Sequence, residues 1–240
     1  MLVALLTMWV LARHLGPDDF GTLNYLLAII AMLGPIVALG LNSIVVRELK
    51  NQPQSNDKII STVICFRLIG ALIGAILCFC FAYFSDGISD VDEVALYILG
   101  FASIFKGLNG LEFWFQARIA AGVVVKMRIF VVVLFAAFKI ISVVNSTNII
   151  LLISIFAIEQ VVLGLGFLFI YVRATGSFQL NQCDWVYGGK LIKQSCWLIL
   201  SGIASVIYLK IGQIMLEQMV GREAVGIYSV AVRLSEVWYF

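Results

Sequence analysis

Six stretches of this chain are close to, or above, the length needed to cross a lipid bilayer: Leu23 to Val46, Ile59 to Phe84, Val94 to Phe115, Ile129 to Val144, Ile149 to Val172 and Leu191 to Val220. A membrane-crossing helix needs about 20 mostly apolar residues. Two shorter pieces, Met1 to Leu11 and Tyr228 to Phe240, read as parts of further spans. Composition agrees with the runs. Of 240 residues, 62% are apolar and only 12% charged, and the mean hydropathy is +1.05. A soluble domain carries roughly twice that share of charge. The solvent these residues suit is lipid, which excludes a soluble enzyme, a nucleic-acid binder and a disulfide scaffold. The expected fold class is all-α, a polytopic transmembrane helical protein.

The basic residues give the expected orientation. Arg47, Lys50 and Lys58 fall in one loop, Arg118, Lys126 and Arg128 in a second, and Arg173, Lys190 and Lys193 in a third. The intervening loops hold only Arg13 and Arg222. Loops rich in Lys and Arg stay in the cytoplasm, so the three basic loops are expected there. The loop Ser85 to Glu93 collects Asp86, Asp90, Asp92 and Glu93 instead. Met1 to Arg13 has neither the basic start nor the small-residue cleavage site of a signal peptide. The chain therefore reads as a fragment truncated at both ends. In the longest loop, Trp185, Tyr187, Leu191 and Ile192 beside Lys190 and Lys193 suggest a stretch lying in the headgroup layer. No loop offers room for a soluble catalytic domain.

A self-similarity organises these spans. Leu15-Gly16-Pro17-Asp18-Asp19-Phe20-Gly21-Thr22-Leu23-Asn24 aligns with Val220-Gly221-Arg222-Glu223-Ala224-Val225-Gly226-Ile227-Tyr228-Ser229 at a constant offset of 205. Both glycines coincide, and an acid meets an acid. Six helices separate the copies, so they share an orientation, as in a parallel repeat about an axis along the membrane normal. The expected organisation is a six-helix bundle over residues 1–172 with its first helix cut short. A cytoplasmic linker over 173–194 and the start of a second bundle over 195–240 follow it.

Charges inside the spans are the candidate functional residues. Arg67, Lys106, Lys139, Lys210 and Arg233 are the cations, and Glu112, Glu159, Glu217 and Glu236 the acids. Each costs on the order of 3 kcal/mol at the bilayer centre, so they are expected to face a bundle interior or a watery cavity. At 100° per residue, Lys210, Gln213 and Glu217 share an arc of about 60°, as do Ser229, Arg233 and Glu236. Lys106, Asn109, Glu112 and Gln116 share one of about 120°. Arg67 shares its face with Gly70, Gly74 and Cys78. Converging cations suit an anionic substrate such as a phosphate-bearing lipid headgroup, and the glutamates would hold them in place or carry a coupling proton. Cys65, Cys78, Cys80, Cys183 and Cys196 form no metal or redox motif, and one histidine cannot make a metal site. Neither a metal nor another cofactor is expected. An acid pair, Asp90 and Asp92, leaves a membrane glycosyltransferase or polymerase as an alternative, though an acidic helix-connecting turn accounts for it.

The stretches Ala12-Arg13-His14-Leu15-Gly16-Pro17-Asp18-Asp19-Phe20-Gly21 and Ala38-Leu39-Gly40-Leu41-Asn42-Ser43-Ile44-Val45-Val46-Arg47-Glu48-Leu49 resemble the opening of the polysaccharide, or O-antigen, flippases. Gly226-Ile227-Tyr228-Ser229-Val230-Ala231-Val232-Arg233-Leu234-Ser235-Glu236 resembles the start of their eighth helix. These flippases belong to the multidrug/oligosaccharidyl-lipid/polysaccharide (MOP) exporter superfamily. The resemblance implies two six-helix lobes around a cationic cavity. It implies alternating-access transfer of an undecaprenyl-diphosphate-linked repeat unit across the bacterial inner membrane, for O-antigen, capsule or exopolysaccharide synthesis. Proton or sodium coupling and polysaccharide-assembly partners are further implications, and a drug or small-solute exporter of the same superfamily is the alternative. Many members carry an acid where this chain has Gln213.

Overall fold

The computed structural model describes residues 2–51, 53–85, 89–146, 148–176 and 183–236, and every regular element among them is helical. In order these are α1 (Leu2–Met32), α2 (Gly34–Ala38), α3 (Asn42–Asn51), α4 (Asn56–Phe84), α5 (Asp90–Ile104), α6 (Glu112–Ala117), α7 (Ala121–Asn145), α8 (Ile149–Thr175), α9 (Trp185–Met219) and α10 (Arg222–Glu236). Short 3₁₀ segments cover Pro53–Ser55 and Phe105–Leu111.

Helix α1 is two helices that meet at Gly16, whose φ of 75° and ψ of 173° leave the helical region. A straight helix over the 49 residues Val3–Asn51 would run about 70 Å, more than twice the ~30 Å hydrocarbon core. The break at Gly16 and a second one at 33–41 make the length compatible with a membrane. Gly221, between α9 and α10, has φ 109°. Only glycine visits this region without a steric penalty. The repeat inferred from sequence thus has the same backbone device in both copies.

Three boundaries differ from the sequence expectation. The run Leu23 to Val46 is interrupted at 33–41, where Pro35 sits in α2 and Leu39 and Gly40 turn left-handed at φ 52° and 59°. Proline removes a backbone donor and glycine accepts the turn, so Gly34-Pro35 and Gly40 were the overlooked signal. Helix α7 starts at Ala121, so Lys126 and Arg128 ride on its first turns and do not lie in a loop. Helix α9 is continuous from Trp185, so the stretch expected in the headgroup layer is the beginning of that helix.

Packing forms two apolar clusters. One joins Leu11, Leu23 and Leu26 of α1 to Leu96 of α5, Leu152 of α8 and Val225 of α10. The other joins Val45 of α3 and Ile64 of α4 to Leu111, Phe115, Phe167 and Leu191, at the end that carries the basic residues. The outer faces stay apolar: Leu72 and Ile76 on α4 and Phe130, Val133 and Phe138 on α7 are exposed. Patches of this extent do not survive in water. Facing lipid, they need no partner, and the chain is a multi-pass membrane protein.

The basic end is tied together by polar contacts. Lys58 pairs with Asp184 at 2.9 Å, the Tyr187 hydroxyl donates to Glu48, and the Asp184 amide donates to Thr62 Oγ1 at 3.0 Å. Asp184 also caps α9 by accepting from the Tyr187 amide at 2.9 Å. That amide first, and then Lys58, hold its carboxyl below the usual aspartate range.

Candidate functional site

The third full span is not one α-helix. Between α5 and α6 the backbone tightens into a 3₁₀ segment, Phe105–Leu111. Glycine makes this possible on two sides. A Cβ on Gly107 or Gly110 would press on Leu68 and Arg67 of α4, and one on Gly164 of α8 would lie 2.5 Å from the Phe105 carbonyl oxygen. A 3₁₀ helix eclipses residues three apart. The arc expected for Lys106, Asn109 and Glu112 therefore narrows to a single row, because the turn per residue is 120° there and not 100°.

That row is half-buried near the middle of the span Asp90–Ala117. Glu112 is anchored: its carboxylate accepts from Arg128 at 2.5 Å and from Gln116 at 2.9 Å. Asn109 Oδ1 is buried and accepts no hydrogen bond from the described residues. Lys106 makes no hydrogen bond or ion pair among the described residues. A mid-membrane ammonium without a counter-ion beside an unsatisfied amide oxygen is costly. It is also the arrangement that a polar, anionic ligand would complete.

Arg67 flanks the same segment. It is 6% exposed, donates to Asn42 Oδ1 of α3 at 3.4 Å, and stacks over Phe113 at 5.3 Å from the ring centroid. Its Nε is buried with no acceptor among the described residues, and Glu112 is its near negative neighbour. The small-residue face expected around it is real. A Cβ on Gly70 would lie 2.7 Å from the Ile36 carbonyl oxygen of α2 and one on Gly74 would touch Val37.

Lys139 and Glu159 are in a different state. They join α7 to α8 through a direct Nζ to Oε2 contact, both 7% exposed. The ring of Phe156 lies 3.6 Å from the same ammonium and completes its shell. This pair is neutral as a unit. Arg67 and Lys139 thus occupy separate clusters inside the bundle, and neither sits on the lipid-facing perimeter.

The remaining candidates lie on α9 and α10. The polar stripe of α9 faces α10: Gln213, 4% exposed, donates to Ser229 Oγ at 3.1 Å. Lys210 lies one turn away, half-buried. Glu217 is 3.9 Å from Arg222. Arg233 borders an apolar cleft of 260 Å³ between α1 and α10, lined also by Leu5, Trp9, Phe20, Val230 and Leu234. The side chain of Glu236 lies outside the described residues. Asp92 of the acid pair is 1% exposed and bound to Arg222, and no group of three metal-ligating side chains occurs among the described residues.

Sequence reading placed Asn109 on the stripe of Lys106 but missed Asn42 and Phe156, because neutral side chains leave no charge signal. It missed Arg128 because it placed that residue in a loop.

Comparison with known proteins agrees with this architecture. The family model described as polysaccharide biosynthesis protein matches residues 1–238. A search of curated proteins finds no match. Among solved structures, the chain is similar to the inward-facing conformation of a multidrug resistance MATE family transporter of the MOP superfamily. The TM-score is 0.67 at 14% identity, over 98% of this chain and 57% of the other. The chain therefore spans little more than half the length of that transporter, and the likeness is one of fold.

Proposed function

The chain belongs to the polysaccharide biosynthesis protein family, with the fold of MOP-superfamily transporters, and from that premise we propose that it is part of a flippase. The substrate is a lipid-linked anionic oligosaccharide, an undecaprenyl-diphosphate-linked repeat unit, moved across the bacterial inner membrane with the basic end in the cytoplasm. Residues 1–172 form the first bundle, 173–194 the linker, and 195–240 open the second bundle. No bond is made or broken in the substrate. Transport follows from differential affinity for the two bundle arrangements, with proton or sodium coupling.

The observation that carries this reading is Lys106, an ammonium near mid-span with no partner among the described residues, in one row with the unsatisfied oxygen of Asn109. A diphosphate supplies the missing charge. The sugar hydroxyls supply donors to the amide. Arg67 adds positive potential from the other side of the 3₁₀ segment, and the cleft beside Arg233 offers apolar walls to a polyprenyl chain. Lys210 belongs to the same cationic path on the α9 side. Lys139 is set apart by its bond to Glu159 and serves as internal neutralisation. Glu112 and Glu217 are charge partners of Arg128 and Arg222.

The test is translocation of a fluorescent undecaprenyl-diphosphate-linked oligosaccharide by the full-length protein in proteoliposomes. The expected result is transfer that falls at least about tenfold in Lys106→Gln. Full transfer in Lys106→Gln contradicts the reading, and so does transfer of a neutral polyprenyl glycan at the same rate.

A further inference from the structure

The two copies of the repeat do more than resemble each other: they touch. Gly21, in the first copy, abuts the backbone carbonyl of Arg222 in the second so closely that an added Cβ would collide with it. Gly226, in the second, abuts the carbonyl of Pro17 in the first in the same way. The four positions are related by the offset of 205, so the contact is reciprocal about a local two-fold axis. Small residues allow two backbones to meet with no side chain between them. A seam of this kind leaves no gap for a solute.

One charged contact lies across the same seam, and it is not duplicated. The guanidinium of Arg222 binds Asp92 at the start of α5 and donates to Thr22 Oγ1 at 3.4 Å. The Ser89 hydroxyl donates to the same Asp92 oxygen at 2.8 Å, while Asp92 Oδ1 is buried without a partner among the described residues. The equivalent of Arg222 in the first copy is Pro17, which has no charge to offer. The side chain of Arg222 is 33% exposed and that of Asp92 2%. The pair therefore sits at the water boundary, with the acid on the dry side. Separation of the copies would admit water to Asp92, including its unsatisfied oxygen, so the open arrangement recovers part of the cost of breaking the pair.

We propose that the Gly21–Gly226 crossing, fastened by Arg222 to Asp92, is a gate at the end of the molecule opposite the basic loops, closed here and parted when substrate leaves. This rests on the two-bundle, alternating-access reading above. It adds to that reading the place where the bundles separate and the contact that sets how often they do.

The test uses the full-length protein in proteoliposomes, with native cysteines replaced and Ser229→Cys as reporter. Ser229 is fully buried beside the crossing. A membrane-impermeant maleimide is added on the Asp92 side. Asp92→Asn and Arg222→Gln are each expected to raise the labelling rate at least about tenfold, because each leaves a buried or half-buried partner unpaired in the closed arrangement. The exchange Asp92→Arg with Arg222→Asp returns labelling toward the parent rate, which a merely misfolded protein would not do. Gly21→Ala, which cannot close, raises it independently of charge. Parent-like labelling in Asp92→Asn, Arg222→Gln and Gly21→Ala together overturns the gate. If labelling rises as expected while the parent moves no lipid-linked oligosaccharide, the flippase reading fails and the gate stands. If the parent translocates and labelling stays flat, the gate alone fails.

Discussion

Two lysines inside the same bundle have opposite surroundings. Lys139 meets Glu159 and the face of Phe156, so its charge is cancelled where it stands. Lys106 stands on a 3₁₀ segment, next in its row to the unsatisfied amide oxygen of Asn109 and one step further from the anchored Glu112, and it has no counter-ion among the described residues. The difference separates a charge that holds helices together from one held ready for something else. Insertion cost alone does not distinguish them, since both are expensive in lipid. What distinguishes them is whether the protein supplies the other half of the pair.

The comparison breaks first at Glu159. Replacing it with Gln leaves Lys139 buried and alone, and the expected loss is about 3–5 kcal/mol of stability, read as a large fall in the melting temperature of the detergent-solubilised full-length protein. Replacing both partners, as Lys139→Met with Glu159→Leu, removes the problem and is expected to return stability to within about 1 kcal/mol of the parent. If the single change is harmless, the pair is not what joins α7 to α8.

Lys106→Gln should behave in the reverse sense. Removing an unpartnered mid-membrane charge is expected to raise stability by about 1–3 kcal/mol while translocation falls. A lower melting temperature would reveal a structural partner for this ammonium. Arg128→Gln is a smaller probe. Its side chain is 45% exposed where it meets Glu112, and such pairs contribute no more than about 1 kcal/mol. The expected melting shift is correspondingly slight.

The smallest effect belongs to Asp184 at the basic end. Its folded-state titration is depressed by the Tyr187 amide and Lys58, so its contribution is present above the ordinary aspartate value of ~3.9. It is lost as the pH falls through the lower folded value. Asp184→Asn should therefore be slightly less stable than the parent at neutral pH and indistinguishable from it in strong acid. A difference that persists in strong acid would mean that the charge is not the cause.

Much of this was readable from residues alone. Apolar runs fix helices because lipid offers the backbone no other partner, and a charge in such a run is visible as an exception. The pairing of Gly16 with Gly221 and of Gly21 with Gly226 was visible because glycine needed at a special backbone geometry leaves a fixed spacing. The separate fates of Lys106 and Lys139 were not. Both are lysines in apolar runs, and the acid that neutralises Lys139 stands twenty positions away on another helix. Periodicity also assumed a uniform helix, whereas Gly107 and Gly110 let α4 approach closely enough to tighten the segment that carries Lys106. Likewise, Pro35 and Gly40 broke a run that hydropathy alone presents as continuous.

The most direct measurement places two full-length variants side by side in the translocation assay: Lys106→Gln, and the apolar double replacement of Lys139 and Glu159. Transfer of the lipid-linked oligosaccharide is expected to fall at least about tenfold in the first and to stay near the parent rate in the second. Sustained transfer without the Lys106 ammonium, together with its loss when the neutral pair is removed, would reverse the assignment and contradict the account.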